Sequence, residues 1–318
     1  LVKILNEMAD YLNISQMKKL QETLLKHLAE NEAKTEEIPN VEYLKMFIDA
    51  KQIEGCSERT LQYYRVTIEH MLGSIETPIR KITTDEIRGY LVDYQKVNNC
   101  SKVTVDNVRR NMSSFFSWLE EEDYILKSPM RRIHKIKTKQ PVKETITDEM
   151  IEKLRDNCTC VRDLAMIDLL YSTGIRVGEL VGLNISDIDF EERECIVFGK
   201  GDKERRVYFD AKAKLHLQEY IESRTDDNPA LFVTLDAPHA RLKISGVEIR
   251  VRELGRKLNI DKIHPHKFRR TMATRAIDKG MPIEQVQKIL GHSQIDTTMQ
   301  YAIVNQNNVK VSHRRYIA

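Results

Sequence analysis

The sequence predicts a two-domain, mainly α-helical protein with one small β-hairpin or sheet. Three observations carry that prediction. The chain has 318 residues, more than one typical domain needs and enough for two. Between residues 40 and 123 apolar residues recur at helical spacing, and nothing there alternates like a strand. Past residue 145 the helical pattern is interrupted once, by two short segments, Glu194 to Phe198 and Glu204 to Phe209, around a glycine-bearing turn. A hydrophobic content of 41% with 31% charged residues supplies cores beneath a charged surface and argues against a disordered chain.

Four regions follow in order. Residues 1–33 read as a helical extension. Ser15 is the expected N-cap after Ile14, and Met17, Leu20, Leu24 and Leu28 form one stripe. It suits packing on the next domain or contact with another protomer. Residues 34–125 read as a four-helix unit. Its first apolar face is Val41, Leu44, Phe47 and Ile48; Ser57 caps a second helix that stops at Gly73. Thr83 with Glu86 matches a capping box opening the third. Ser101 starts the fourth, with Val105, Val108, Met112, Phe115, Phe116 and Leu119 inward.

Residues 126–144 form a basic linker. It carries Lys127, Arg131, Arg132, Lys135, Lys137, Lys139 and Lys143, and no acidic residue before Glu144. Pro129 and Pro141 discourage helix near its ends, so an extended cationic strap suited to phosphate is expected, with an ordinary solvated linker as the plain alternative. Residues 145–318 form the second domain. Thr147 caps its first helix, a helix from Val161 ends at Gly174, and another follows from Val177. After the hairpin, helices resume, punctuated by Gly280, Pro282 and Gly291.

The bulk composition narrows the class. Net charge is only +3, so any polyanionic partner must be read from where the charge lies. The five cysteines, Cys56, Cys100, Cys158, Cys160 and Cys195, are odd in number and irregular in spacing, which suits a reducing cytosol rather than a disulfide framework. A lone C-x-C at 158–160 is a poor zinc site. No apolar stretch approaches a membrane span and no signal peptide is evident. A cytoplasmic protein without a membrane partner is therefore expected. The chain opens at Leu1 rather than methionine, which leaves room for an upstream segment.

The chemistry concentrates in residues 264–302, HPHKFRRTMATRAIDKGMPIEQVQKILGHSQIDTTMQYA. His266 and Arg269 lie three apart at a helix start, where two cationic donors and the helix N-terminus favour a phosphate. His292 follows Gly291, and Tyr301 follows a polar run, which favours a partly exposed ring. A phenol with a pKa of about 10 needs a base or dense positive charge to act as a nucleophile. Upstream, Arg176 follows a Thr-Gly turn, with Glu179 placed to hold its guanidinium. In the hairpin, Lys200 stands between Gly199 and Gly201, with Lys203 as a rival in the same turn. Each signal alone is ordinary surface chemistry.

Together, TGIRVGEL, GKGDKERRV, HPHKFRRT and LGHSQIDTTMQY occur in one order, and the chain resembles the tyrosine recombinases, the integrase and Xer-type site-specific recombinases, from about residue 40 onward. The resemblance implies a helical core DNA-binding domain followed by a mixed α+β catalytic domain. It implies Arg176, Lys200, His266, Arg269, His292 and Tyr301 as the catalytic set, with Tyr301 the nucleophile, ahead of Tyr171, Tyr208 and Tyr316. It implies no metal and no cofactor. The sequence also contains no Walker-type loop and no H-E-x-x-H. Arg270 departs from the pattern, since many members carry histidine there. The implied partner is double-stranded DNA at a specific site, bound by a homo-tetramer on paired sites. Arg59, Arg65, Lys102, Arg109 and Arg110 of the helical domain, with Arg131 and Arg132 of the strap, are the DNA-binding candidates. Integration or excision of a mobile element is favoured by the N-terminal helices. Xer-like dimer resolution, a type IB topoisomerase, a non-catalytic DNA-binding regulator and a DNA-bridging protein stay open.

Overall fold

The computed structural model describes residues 8, 11–34, 38–138, 144–199, 204–260, 262–301 and 317. Lys200 and Lys203, the linker residues Lys139 and Lys143, and the tail with Tyr316 lie outside the described residues. The chain divides into two compact units, Leu1–Pro141 and Val142–Ala318.

The first unit is helical in its described part: α1 (Ile14–Lys34), α2 (Asn40–Ile53), α3 (Glu58–Ser74), α4 (Thr84–Val97) and α5 (Lys102–Glu121). Asn13, not Ser15, opens α1. Its Oδ1 accepts from the Gln16 amide at 2.9 Å while Gln16 Oε1 accepts from the Asn13 amide at 3.1 Å. Ser15 already lies inside the helix and is not placed to make this reciprocal cap. Met17, Leu20 and Leu24 are half-buried.

The largely aliphatic core of the unit holds a cluster of aromatic rings. Phe47, Phe115 and Phe116 are fully buried, and Phe47 meets Phe115 edge-on at 5.2 Å. Val41 is 72% exposed and Tyr43 takes the inward position instead. The stripe of Tyr43, Leu44, Phe47 and Ile48 centres about 90° around the helix from Val41, given the 3.6-residue period. Thr83 and Glu86 complete their capping box, and Ser101 accepts from the Thr104 amide. Ser57 holds the N-cap position of α3, but its hydroxyl pairs with that of Thr60. Gly73 does not stop α3: the helix runs to Ser74 and leaves through an extended, buried Ile75.

The linker is not an extended strap over its described length. Ser128 caps a 3-10 turn at Pro129–Arg132, Met130 is buried, and Ile133 and Ile136 pack on the helical core. The Ile136 amide donates to Asp106 Oδ1 at 3.0 Å. Proline suits the first position of such a turn, and the apolar residues between the basic ones are what bury the segment.

The second unit is built around α7. Its order is α6 (Asp148–Asp156), α7 (Val161–Thr173), α8 (Val177–Gly182), β1 (Ile188–Asp189), β2 (Glu194–Phe198), β3 (Glu204–Tyr208), α9 (Ala211–Glu222), α10 (Ile244–Lys257), α11 (Pro265–Asp278), α12 (Ile283–Leu290) and α13 (Ile295–Met299). Helix α7 buries Ala165, Met166, Ile167, Leu169 and Leu170 completely. Its buried Asp168 is satisfied by Arg155 Nε at 2.6 Å and His216 Nδ1 at 2.5 Å, as a charge taken out of water must be. The sheet is antiparallel in the order β1-β2-β3, with Cys195 opposite Val207 and Val197 opposite Arg205. The two-residue β1 is too short to show alternation in the sequence. Among the described residues no helix is long and apolar enough to cross a membrane.

Candidate active site

Helix ends meet in the second unit, and arginines bind them together. Helix α7 stops at Gly174, whose φ of +63° is left-handed and where a Cβ would collide with Met272. That turn delivers Arg176 to the start of α8. Glu179, in the first turn of α8, accepts from the Arg176 amide at 2.7 Å and from its Nη1 at 2.8 Å.

Helix α12 ends at Gly291, left-handed at φ +64°. The last carbonyls of a helix have no partner within it. Three arginines from outside α12 each supply one. Arg205 Nε of β3 donates to the Ile289 carbonyl at 2.8 Å, Arg269 Nη2 of α11 to Leu290 at 2.6 Å, and Arg176 Nη2 to Gly291 at 3.2 Å. Cations there also face the negative end of the helix dipole. Arg269, 2% exposed, reaches the Gly174 carbonyl as well, at 2.8 Å. One guanidinium therefore ties the ends of α7 and α12.

The histidine is oriented by the same cluster. His292 Nε2 lies 3.0 Å from Arg269 Nη2, and its Nδ1 lies 2.8 Å from the hydroxyl of the fully buried Thr298. A guanidinium only donates, so Nε2 accepts and Nδ1 carries the proton. Burial, then the charges of Arg269, Arg176 and Arg205, push the imidazole down to about 4. His292 is thus neutral near pH 7. Burial and the neighbouring Arg176 likewise push Arg269 down to about 10. Burial pushes the Glu179 carboxyl up, but hydrogen bonds from Arg205 and Arg176 outweigh it and hold the group below its ordinary range. Three guanidiniums and one carboxylate leave these groups at +2.

Tyr301 follows α13. Its ring is half-buried, 6.1 Å from the His292 ring and inclined by 28°. It packs with Ala273, Val286 and Leu290. The competing tyrosines stand elsewhere: the Tyr171 hydroxyl accepts from Arg275, and Tyr208 is 54% exposed on β3. Arg176, Arg269, His292 and Tyr301 are brought together. His266 stands exposed on the first turn of α11, its ring 6.5 Å from that of His264. Arg270 uses its fork on the Glu144 carbonyl, at 2.9 and 2.6 Å.

Comparison with known proteins decides the family. Residues 142–308 match the phage integrase family, and residues 43–126 match the phage integrase N-terminal SAM-like domain. The chain belongs to the phage integrase family. It is a tyrosine-type site-specific recombinase. Tyrosine recombinase XerC of Leptospira interrogans is 32% identical over 287 residues, 86% of this chain and 92% of that protein. Tyrosine recombinase XerC of Oceanobacillus iheyensis is 30% identical over 290 residues, 86% of this chain and 95% of that protein. Among solved structures, the Tn1549 transposon integrase in complex with a circular intermediate DNA aligns with a TM-score of 0.72 at 20% identity, over 86% of this chain and 99% of that one. A lambda integrase dimer bound to a COC' core site aligns with a TM-score of 0.67 at 21% identity, over 82% and 76%. These two likenesses speak to the fold alone.

The recombinase places its candidate DNA contacts unevenly. Arg59 and Arg65 on α3, and Lys102 and Arg110 on α5, are exposed. The two helices are neighbours, since Asn111 Nδ2 donates to Thr67 Oγ1 at 2.9 Å. Arg109 is different: its side chain is 11% exposed and Nε pairs with the buried Asp106 at 2.8 Å, so it serves the core of the unit. Arg131 pairs with Glu120 at 2.5 Å, and Arg132 is exposed. The sequence reading missed two residues of the site. Thr298 was one more polar residue in a polar run. Arg205 had a signal: in β3 it shares the inward parity of the buried Val207.

Proposed function

We propose that this recombinase cuts and rejoins DNA at a specific site through a 3′-phosphotyrosine on Tyr301. The observation that carries the reading is the meeting of Arg176, Arg269, His292 and Tyr301, which come from separate parts of the second unit, around groups totalling +2. A phosphodiester carries one negative charge and its pentacoordinate transition state gains more, so fixed guanidiniums favour the transition state over the ground state. Arg176 and Arg269 grip the non-bridging oxygens, and Tyr301 attacks phosphorus. His266 accepts the phenol proton and Lys200 protonates the leaving 5′ oxygen. The bond to the 5′ oxygen breaks as the bond to the phenol oxygen forms, and a 5′ hydroxyl from another duplex reverses the step.

The partner is double-stranded DNA, held by exposed basic residues of the helical unit and by the catalytic unit, with a homo-tetramer on paired sites. Two solved structures of the same fold, one with a circular intermediate DNA and one a dimer at a core site, are DNA complexes, which supports the DNA partner. The reaction is cytoplasmic. Two jobs fit the chemistry: integration or excision of a mobile element, and Xer-like dimer resolution. The 30–32% identity to XerC proteins over most of both chains favours the second. Deleting the gene tests that choice, by whether chromosome dimers accumulate or an element stops excising.

The test of the chemistry is a nicked suicide DNA. The unmodified chain is expected to be trapped as a covalent adduct, whereas Tyr301→Phe binds the DNA and forms none. An adduct surviving in Tyr301→Phe removes Tyr301 as the nucleophile. A topoisomerase would instead relax plasmids without any site requirement, and a regulator or bridging protein would form no adduct.

A further inference from the structure

We propose that Arg205 is a positioning residue for strand transfer: from β3 it fixes both the counter-ion of Arg176 and the end of the helix from which the His292–Tyr301 segment departs. The inference rests on the reading of the site given above.

The geometry is that of a two-way clamp. Arg205 donates Nη1 to Glu179 Oε1 and Nη2 to Glu179 Oε2, each at 2.7 Å, while its Nε holds the Ile289 carbonyl at 2.8 Å. Its side chain is 12% exposed. An ionised carboxylate offers about four lone-pair sites. Glu179 uses them on the Arg176 amide, Arg176 Nη1 and the two arms of Arg205. With Arg205 gone, Glu179 is left with Arg176 alone and draws that guanidinium toward itself. The close packing is built in: a Cβ on Gly291 would meet Arg205 Cδ at 2.9 Å. Glycine there serves the left-handed turn and makes room for the arginine. Finally, β3 directly follows the segment that carries Lys200, so the clamp anchors the strand leading out of that segment.

A merely structural ion pair would stabilise the fold without touching the chemistry. The test separates the two with nicked suicide DNA, comparing the unmodified chain with Arg205→Gln, Arg205→Lys, Glu179→Gln and the Arg205→Gln/Glu179→Gln double variant. Adduct rate at saturating DNA and DNA affinity are both read. Arg205→Gln is expected to slow adduct formation about 100-fold, the scale of a misplaced catalytic group, with affinity little changed. Lysine keeps the charge but loses the fork, so Arg205→Lys is expected to fall between. Because Arg205 acts in part through Glu179, the double variant is expected to lose less than the product of the two single losses. The His292 imidazole, followed by NMR, is expected to titrate at higher pH in Arg205→Gln.

An Arg205→Gln rate equal to that of the unmodified chain overturns the proposal, as do losses that multiply in the double variant. If Arg205→Gln fails to fold, Arg205→Lys decides: a slowed rate with intact binding supports the proposal, and a full rate overturns it. Absence of any adduct from the unmodified chain would instead remove the reading of the site, and this proposal with it.

Discussion

The two units handle charge in opposite ways. In the helical unit the buried positions are almost all apolar, and among the described residues Asp106 is its one buried ionised side chain. Its arginines mostly stand on the surface or make short-range pairs, such as Arg88 with Asp85 and Arg110 with Asp106. The catalytic unit buries Arg162, Asp163, Asp168, Glu179, Lys267 and Arg269. Desolvating such groups costs free energy that apolar packing would not. The first unit is arranged for stability and an open basic surface. The second gives up stability to hold cations close together, in the proposed reading to grip a phosphate, and the lowered pKa values of Arg269 and His292 reflect burial and mutual repulsion there.

The sharpest test exchanges the two roles. Arg269→Ala is expected to cut adduct formation by about 1000-fold, the cost of losing one preorganised donor. Its effect on stability is expected to be modest, because relief of repulsion with Arg176 offsets the carbonyls of Gly174 and Leu290 left without this donor. Phe47→Ala does the reverse: it costs about 3–5 kcal/mol of stability in the helical unit, measured by denaturant unfolding, while folded molecules cleave normally. An Arg269→Ala protein that unfolds outright, or a Phe47→Ala protein as stable as its parent, would break the comparison.

Acid sharpens it further. His292 in the fold is lowered to about 4 from an ordinary 6.5, so the unfolded chain binds the proton first as pH falls. Its contribution to stability is whole above pH 6.5 and is lost as pH falls toward 4. The lowered Glu179 carboxyl acts in the same direction, its contribution being lost as pH falls below 4.5. Melting between pH 7 and 4.5 is expected to show a fall in the catalytic unit that is smaller in His292→Gln. A bound phosphodiester brings the opposite charge and raises the imidazole again, so DNA binding near pH 5 is expected to take up a proton, seen by calorimetry in buffers of different ionisation enthalpy. The smallest effect belongs to the surface. Arg110→Ala is expected to change stability by less than about 0.5 kcal/mol and to lower the salt dependence of DNA binding by about one phosphate contact.

Local chemistry made much of this legible. The capping box at Thr83 and Glu86, the inward stripe of α5, the left-handed stops at Gly174 and Gly291 and the pairing of Arg176 with Glu179 all depend on residues within about one helical turn of each other. Errors came where two local solutions were nearly equal. Asparagine and serine cap helices about equally well, and Asn13 prevailed over Ser15. The linker failed differently: its lysines suggested solvent, and the residues that bury it, Met130, Ile133 and Ile136, find their partners far away in the chain.

What the sequence by itself determined is the set of helices, the hairpin and the residue types that a phosphate-handling site requires, because periodicity, capping and turn preference act over a few neighbouring positions. Only the tertiary structure decided that three arginines share the carbonyl end of α12, that Arg205 belongs with them while Arg109 serves its own core, and that His292 accepts rather than donates toward Arg269. Those facts depend on which distant groups meet once water is excluded, and spacing along a chain does not encode that directly.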